Sequence, residues 1–193
     1  NYVYFAGFYW RIIRINEDGS IRLIYQGTNS RATGSDATIG ASNYIASSLE
    51  TDNAHVGYMY GAKGSTTYSA THANINDSNI KIFLDNWYRT YLLNNEEYIA
   101  DSGFCGDRSR VDEVGKWNSQ DTGLGYGKNY TQYGPFIRYY YTKTPQFSCP
   151  QSNDLYTTSS SNKGNKALDY PIGLITMDEA KYARGSGKSN SSY

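Results

Sequence analysis

The opening stretch of the chain constrains the fold more than any other. Trp10, Ile12 and Arg14 alternate with Arg11, Ile13 and Ile15, and Ile21, Leu23 and Tyr25 alternate with Arg22 and Ile24, on either side of Asn16-Glu17-Asp18-Gly19. Successive side chains of a strand point to opposite faces. A period of two over both arms therefore predicts a hairpin, with Tyr2 to Ile15 as the outgoing strand and Ser20 to Gln26 as the return. Asp18-Gly19 supplies the positive φ that a bulged hairpin turn requires. Apolar groups on both faces predict that the hairpin sits between layers or beside a partner strand, as part of the central sheet.

A helix to cover that sheet is legible from Asp77 or Ser78, either of which can cap it. Ile80, Phe83, Leu84, Trp87 and Tyr91 form an apolar stripe, and Lys81, Asp85 and Arg89 mark a face predicted to stay in water until the helix ends near Leu93. A shorter helix is predicted where Thr176 and Glu179 have capping-box spacing, with Gly185 able to end it. Ile172 to Ile175, just before it, reads as a buried strand, and His55 to Gly61 as a short glycine-bounded one. Gly27 to Asn53, with Ile39, Tyr44, Ile45 and Leu49, reads as a loop with room for a short helix. Asp101 to Asp169 alternates Gly, Asn, Ser and Tyr with few aliphatics and is expected to be largely irregular, an uncommon length of loop in a compact domain. The predicted class is α+β: β-rich, with an N-terminal hairpin, one amphipathic helix and long irregular loops. One module is expected over residues 1–185, followed by a flexible Ser-rich tail at 186–193.

Composition bears on where such a chain works. Apolar residues make up 38% and charged residues 19% of the 193, below the usual ~45–50% and ~25%. Ser, Thr, Asn, Gly and 21 Tyr fill the difference, a balance that suits an extracellular protein. Eighteen basic and eighteen acidic side chains cancel, so no long-range field concentrates phosphates or anionic lipid, and nucleic acid is excluded as the expected partner. No run of about 18 apolar residues is present, so no direct membrane insertion is expected. Cys105 and Cys149 both lie in loop-like surroundings. An exported chain would pair them, closing a loop of roughly 45 residues worth on the order of 3–4 kcal/mol. Two separate thiols are the alternative, and a zinc site would need further ligands at close spacing.

Chemistry-bearing motifs are sparse, and neither a cofactor nor a metal is expected. Gly123-Leu124-Gly125-Tyr126-Gly127-Lys128 lacks the four-residue spacer of a phosphate loop, and Gly187-Lys188-Ser189 has Tyr182 where the first glycine belongs. His55 and His72 lack metal-ligand spacing and read as surface histidines. Asp107, Asp112, Glu113 and Asp121, near Arg108 and Arg110, match no calcium loop and read first as a solvated loop. Aromatic density is the feature that remains. Tyr130, Tyr133, Phe136, Tyr139, Tyr140 and Tyr141, with Arg138 among them, are the candidate ligand-binding residues, since planar faces with hydroxyl edges suit sugars or peptides. The same rings would serve equally well as the small core of their own loop.

Several blocks also carry a family likeness. They are Asn1-Tyr2-Val3-Tyr4-Phe5-Ala6-Gly7-Phe8-Tyr9-Trp10-Arg11-Ile12-Ile13-Arg14-Ile15-Asn16 with Ile21-Arg22-Leu23-Ile24-Tyr25, Leu84-Asp85-Asn86-Trp87-Tyr88, Phe104-Cys105-Gly106-Asp107-Arg108-Ser109, Cys149-Pro150 and Tyr170-Pro171-Ile172-Gly173-Leu174-Ile175-Thr176. In order and spacing they resemble surface-protein modules of gut Firmicutes, over nearly the whole chain. The resemblance implies an extracellular or cell-surface location on a Gram-positive bacterium. It also implies a C-type-lectin-like fold, similar to that of formylglycine-generating enzymes and variable bacterial surface receptors. The cysteine pattern of formylglycine-generating catalysis is absent, so no active-site residue carries over. Members of the family continue past the counterpart of Tyr193, so the chain is expected to be truncated at both ends. The family has no assigned activity, and the resemblance supplies a setting, not a mechanism. The expected function is an extracellular binding or adhesion module for a glycan or protein ligand, using the surface from Gly103 to Tyr141. The alternatives are a passive structural segment of a wall protein or filament, and a hydrolase of extracellular polymers using the four carboxylates named above.

Overall fold

Ala6 and Gly7 divide the predicted outgoing strand in two. In the computed structural model, which describes residues 2–40, 57–62, 67–109, 133–159 and 163–184, strands β1 (Tyr2–Phe5), β2 (Phe8–Ile15) and β3 (Ile21–Gly27) form an antiparallel sheet in that order. Ala6 and Gly7 take φ of 51° and 85° and bring Phe5 opposite Phe8. Positive φ at both central residues gives a two-residue turn the twist that hairpin strands require. The second turn forms where expected, with Gly19 at φ 82° and the Asp18 carboxylate accepting the Ser20 N–H at 2.9 Å. A register shift between Ile12 and Arg14 leaves Ile12 opposite Leu23 and Arg14 opposite Arg22. Phe8, Trp10, Leu23 and Tyr25 thus share one face of the sheet, and Arg14 and Arg22 the other.

Helix α2 (Asn79–Tyr91) covers the first face. The Ser78 hydroxyl caps it, accepting the Lys81 N–H at 3.2 Å, and Leu92 closes it. The Trp87 ring lies 5.3 Å from Phe8, 6.2 Å from Trp10 and 5.7 Å from Tyr25. Such ring pairs contribute roughly 0.5–1.5 kcal/mol each beyond the area they bury. The expectation of a wet face through Lys81 and Asp85 is overturned, because both are buried, Lys81 completely. The chain packs against α2 on two sides, and the second side surrounds Lys81 with carboxylates.

That second side joins the main core. Trp10, Leu84, Tyr88 and Leu92 pack with Tyr58, Met59, Tyr156, Leu168 and Ile172. These come from short pieces: β4 (Met59–Tyr60) pairs with β5 (Asn76–Asp77), and β6 (Phe104–Cys105) with β7 (Leu155–Tyr156). Helix α1 (Tyr68–Thr71) docks on β4 through a hydrogen bond from the Gly61 N–H to the Thr71 carbonyl at 2.6 Å. A Cβ on Gly61 would sit 1.8 Å from the Ala70 carbonyl oxygen, so only glycine permits this approach. His72, expected at the surface, is buried here instead, with its Nδ1 3.2 Å from the Thr71 hydroxyl.

Downstream, the predicted capping box forms at the start of α4 (Met177–Arg184): Glu179 accepts the Thr176 N–H and Thr176 accepts the Glu179 N–H, both at 3.0 Å. Ile172 to Ile175 is not a strand, since it pairs with no ladder and only Ile172 is buried. The aromatic stretch is helical instead of a loop. Helix α3 (Gly134–Ile137) runs into a wider turn over Arg138–Thr142, ended by Lys143 at φ 58°. Among the described residues no helix is long and apolar enough to cross a membrane.

Candidate functional site

The aromatic stretch owes its position to one arginine. Arg138 donates from Nε and Nη2 to the two oxygens of Asp178 at 2.8 and 2.7 Å, and again from Nη2 to Asp107 at 2.7 Å. Asp107 is fixed in turn by the Ser109 N–H and hydroxyl at 2.9 and 2.5 Å, and the Ser109 carbonyl accepts the Gly134 N–H at 2.6 Å. The bonds to Asp178 and Asp107 outweigh burial and push the Arg138 pKa above its ordinary value. A fork held on two carboxylates keeps one geometry, so the turn that follows is placed rigidly.

On that base Tyr140 and Tyr141 face outward. Phe136 lies 4.7 Å from Tyr140 and 6.1 Å from Tyr141, and Tyr139 lies 4.8 Å from Tyr140. Tyr140 and Tyr141 are 56% and 66% exposed, whereas Tyr133, Phe136, Arg138 and Tyr139 are half-buried. Tyr130 lies outside the described residues, as do Asp112, Glu113 and Asp121. Asp107 is buried and committed to Arg138 and Ser109. Sequence reasoning missed the other half of the surface, contributed by α4 and the segment after Lys143. The Lys181 ammonium sits 5.3 Å from the Tyr139 ring centre, Phe147 packs edge-on to Tyr182 at 5.0 Å, and Arg14 lies 5.2 Å over Phe147. Asp178 also accepts the Gln146 N–H at 3.0 Å, so a single carboxylate positions both halves. The disulfide between Cys105 and Cys149 forms as expected and joins this segment to β6.

Three buried cations, each with its carboxylates, hold the surrounding body. The Arg108 guanidinium donates to Asp154 at 2.8 and 2.6 Å, and its backbone N–H does so at 2.8 Å. Burial nevertheless pushes the Asp154 carboxyl above its ordinary pKa, against the pull of Arg108. Arg22 donates to Glu179 at 2.9 Å while lying 4.0 Å over the Phe104 ring. Burial raises the Glu179 carboxyl, but Arg22, the Thr176 N–H and Arg14 outweigh it and hold the pKa below the usual value. The Lys81 ammonium lies 3.1, 2.7 and 2.9 Å from Asp77, Asp85 and Asp169. Burial opposes its charge, yet these bonds raise its pKa above the ordinary range.

Oxygens of Asp77, Asp85 and Asp169 come within 4.8 Å of one another and line an open cleft of about 340 Å³ with Ile82, Arg89 and Tyr170. The Lys81 ammonium already fills the role of their cation. An amine held charged this firmly is no nucleophile, so the cleft offers no evident covalent chemistry. No family model, no curated protein and no solved structure matches this chain.

Proposed function

We propose that the chain is an extracellular binding module of a bacterial surface protein, with Tyr139, Tyr140 and Tyr141 at the centre of its contact surface. The observation that carries this reading is that large exposed rings stand on a segment whose base is locked by buried ion pairs. Tyrosine contributes contact area at low entropic cost, and a pre-positioned ring loses less freedom on binding than one on a mobile loop. The disulfide agrees with an oxidising compartment, and the resemblance to surface modules of gut Firmicutes supplies the setting of a Gram-positive cell wall. A glycan-array and pull-down screen tests the proposal, with the Tyr140→Ala/Tyr141→Ala variant as control. Retention of a ligand by the wild type and its loss by the variant supports it. Identical profiles for the two proteins, or no ligand at all, would sink it in favour of a passive wall segment.

A further inference from the structure

Among the described residues of 133–150 and α4, the charges left without an ion-pair partner are positive. The described segment 133–150 contains no acidic residue, and α4 brings only two, Asp178 and Glu179, which are 5% and 4% exposed. Both are consumed internally, Asp178 by Arg138 and Glu179 by Arg22. Beyond Arg138, which is spent on Asp178 and Asp107, two cations on the same elements are placed differently. Lys143 is exposed directly after the tyrosine turn, and Lys181 is half-buried over the Tyr139 ring; neither has an ion-pair partner among the described residues. An arrangement that buries its carboxylates and leaves its ammonium groups facing water attracts anions locally, although the chain as a whole is neutral.

We infer that the ligand of this surface is an acidic, carboxylate-bearing polysaccharide, with Tyr140 and Tyr141 stacking on sugar rings and Lys143 and Lys181 pairing with their carboxylates. This rests on the binding reading above and adds the ligand class. Each component covers what the other lacks. The flat rings match the C–H faces of pyranoses, which carry no charge, and the lysines supply the attraction that rings alone do not. Lysines on flexible stems meet carboxylates as point charges, which suits a repeating acidic chain better than one rigid epitope.

Polygalacturonate and its fully methyl-esterified form share a backbone and differ in charge, and binding to both is measured on immobilised polymer at low and high salt. Expected are binding to the acid form, little to the ester, a steep loss with salt, and about tenfold weaker binding by Lys143→Gln/Lys181→Gln. Tyr140→Ala/Tyr141→Ala is expected to abolish binding, with melting temperature confirming that both variants fold. Equal, salt-independent binding to acid and ester overturns the acidic-ligand inference while leaving the binding module intact. No binding to either overturns the inference too, and the array then decides alone whether a binding module remains. Equally tight binding to polyphosphate overturns it as well, since charge without a sugar face would then suffice.

Discussion

The interface between the sheet and α2 and the rest of the molecule are held by different physics. Toward the sheet, Phe8, Trp10, Tyr25, Trp87 and Tyr91 pack ring on ring. Toward the rest of the chain, and on the face of the sheet turned away from α2, the buried positions include Lys81, Arg108, Asp154, Arg22, Glu179 and Asp107, each held in an ion pair and backed by a disulfide. A ring is satisfied by area, and any neighbour of the right shape supplies it. A buried charge is satisfied only by its particular partner, and losing that partner leaves a cost no repacking removes. The first side should therefore yield gradually to substitution, and the second should fail abruptly and depend on pH and redox conditions.

The largest effects put this contrast to the test. Truncating Asp154→Ala strands the Arg108 guanidinium and should cost about 3–5 kcal/mol, and Trp10→Ala about the same through its cavity. The milder changes separate the two sides: Trp10→Phe should recover most of the loss in urea unfolding, and Asp154→Asn little of it. Equal recovery would break the comparison. Next, Cys105→Ser/Cys149→Ser should lower stability by roughly 2–4 kcal/mol, and wild type should melt lower in reductant. If reductant leaves the melting temperature unchanged, the bond contributes nothing to the second side.

Acid should weaken the second side by a smaller amount. The Glu179 carboxyl has a folded pKa below its unfolded value of 4.5. Its contribution is therefore fully present above about 4.5 and is lost as pH falls through the lowered folded value. Glu179→Gln should flatten the acid limb of a stability–pH curve; an unchanged limb would assign it to other carboxylates. The smallest effect belongs to the surface rings. Tyr140→Ala/Tyr141→Ala should shift stability by no more than about 0.5 kcal/mol per site while removing the proposed ligand capture. A larger loss would make these rings part of the body instead of its contact surface.

What could be read from the sequence follows the same division. The hairpin, the Ser78 cap and the Thr176–Glu179 box are local patterns, and each formed where its residues predicted. The Ala6-Gly7 turn was missed because alanine seldom takes positive φ, although the glycine beside it was a clue. The burial of Lys81 had no local sign. A lysine on a helix reads as outward, and its partner Asp169 comes from 88 residues away. Arg108 and Asp154, 46 apart, pose the same difficulty. The helical form of the aromatic stretch did leave a sign, since Pro135 stands at the first positions of α3, where proline favours a helix start. The pairing of Phe147 with Tyr182 left none.

The bond between Arg22 and Glu179 spans 157 residues, and Glu179 is also the residue that caps the start of α4. During synthesis on the ribosome the sheet and α2 can assemble as soon as Tyr91 has emerged. The arginine side of β3 then waits, its guanidinium still hydrated, until a carboxylate made much later arrives. Contacts of such long range are slow to form, and large chains complete their folding in stages. A chain released before residue 179 would therefore hold its aromatic half without this closing contact, and β3 would stay uncovered on one face.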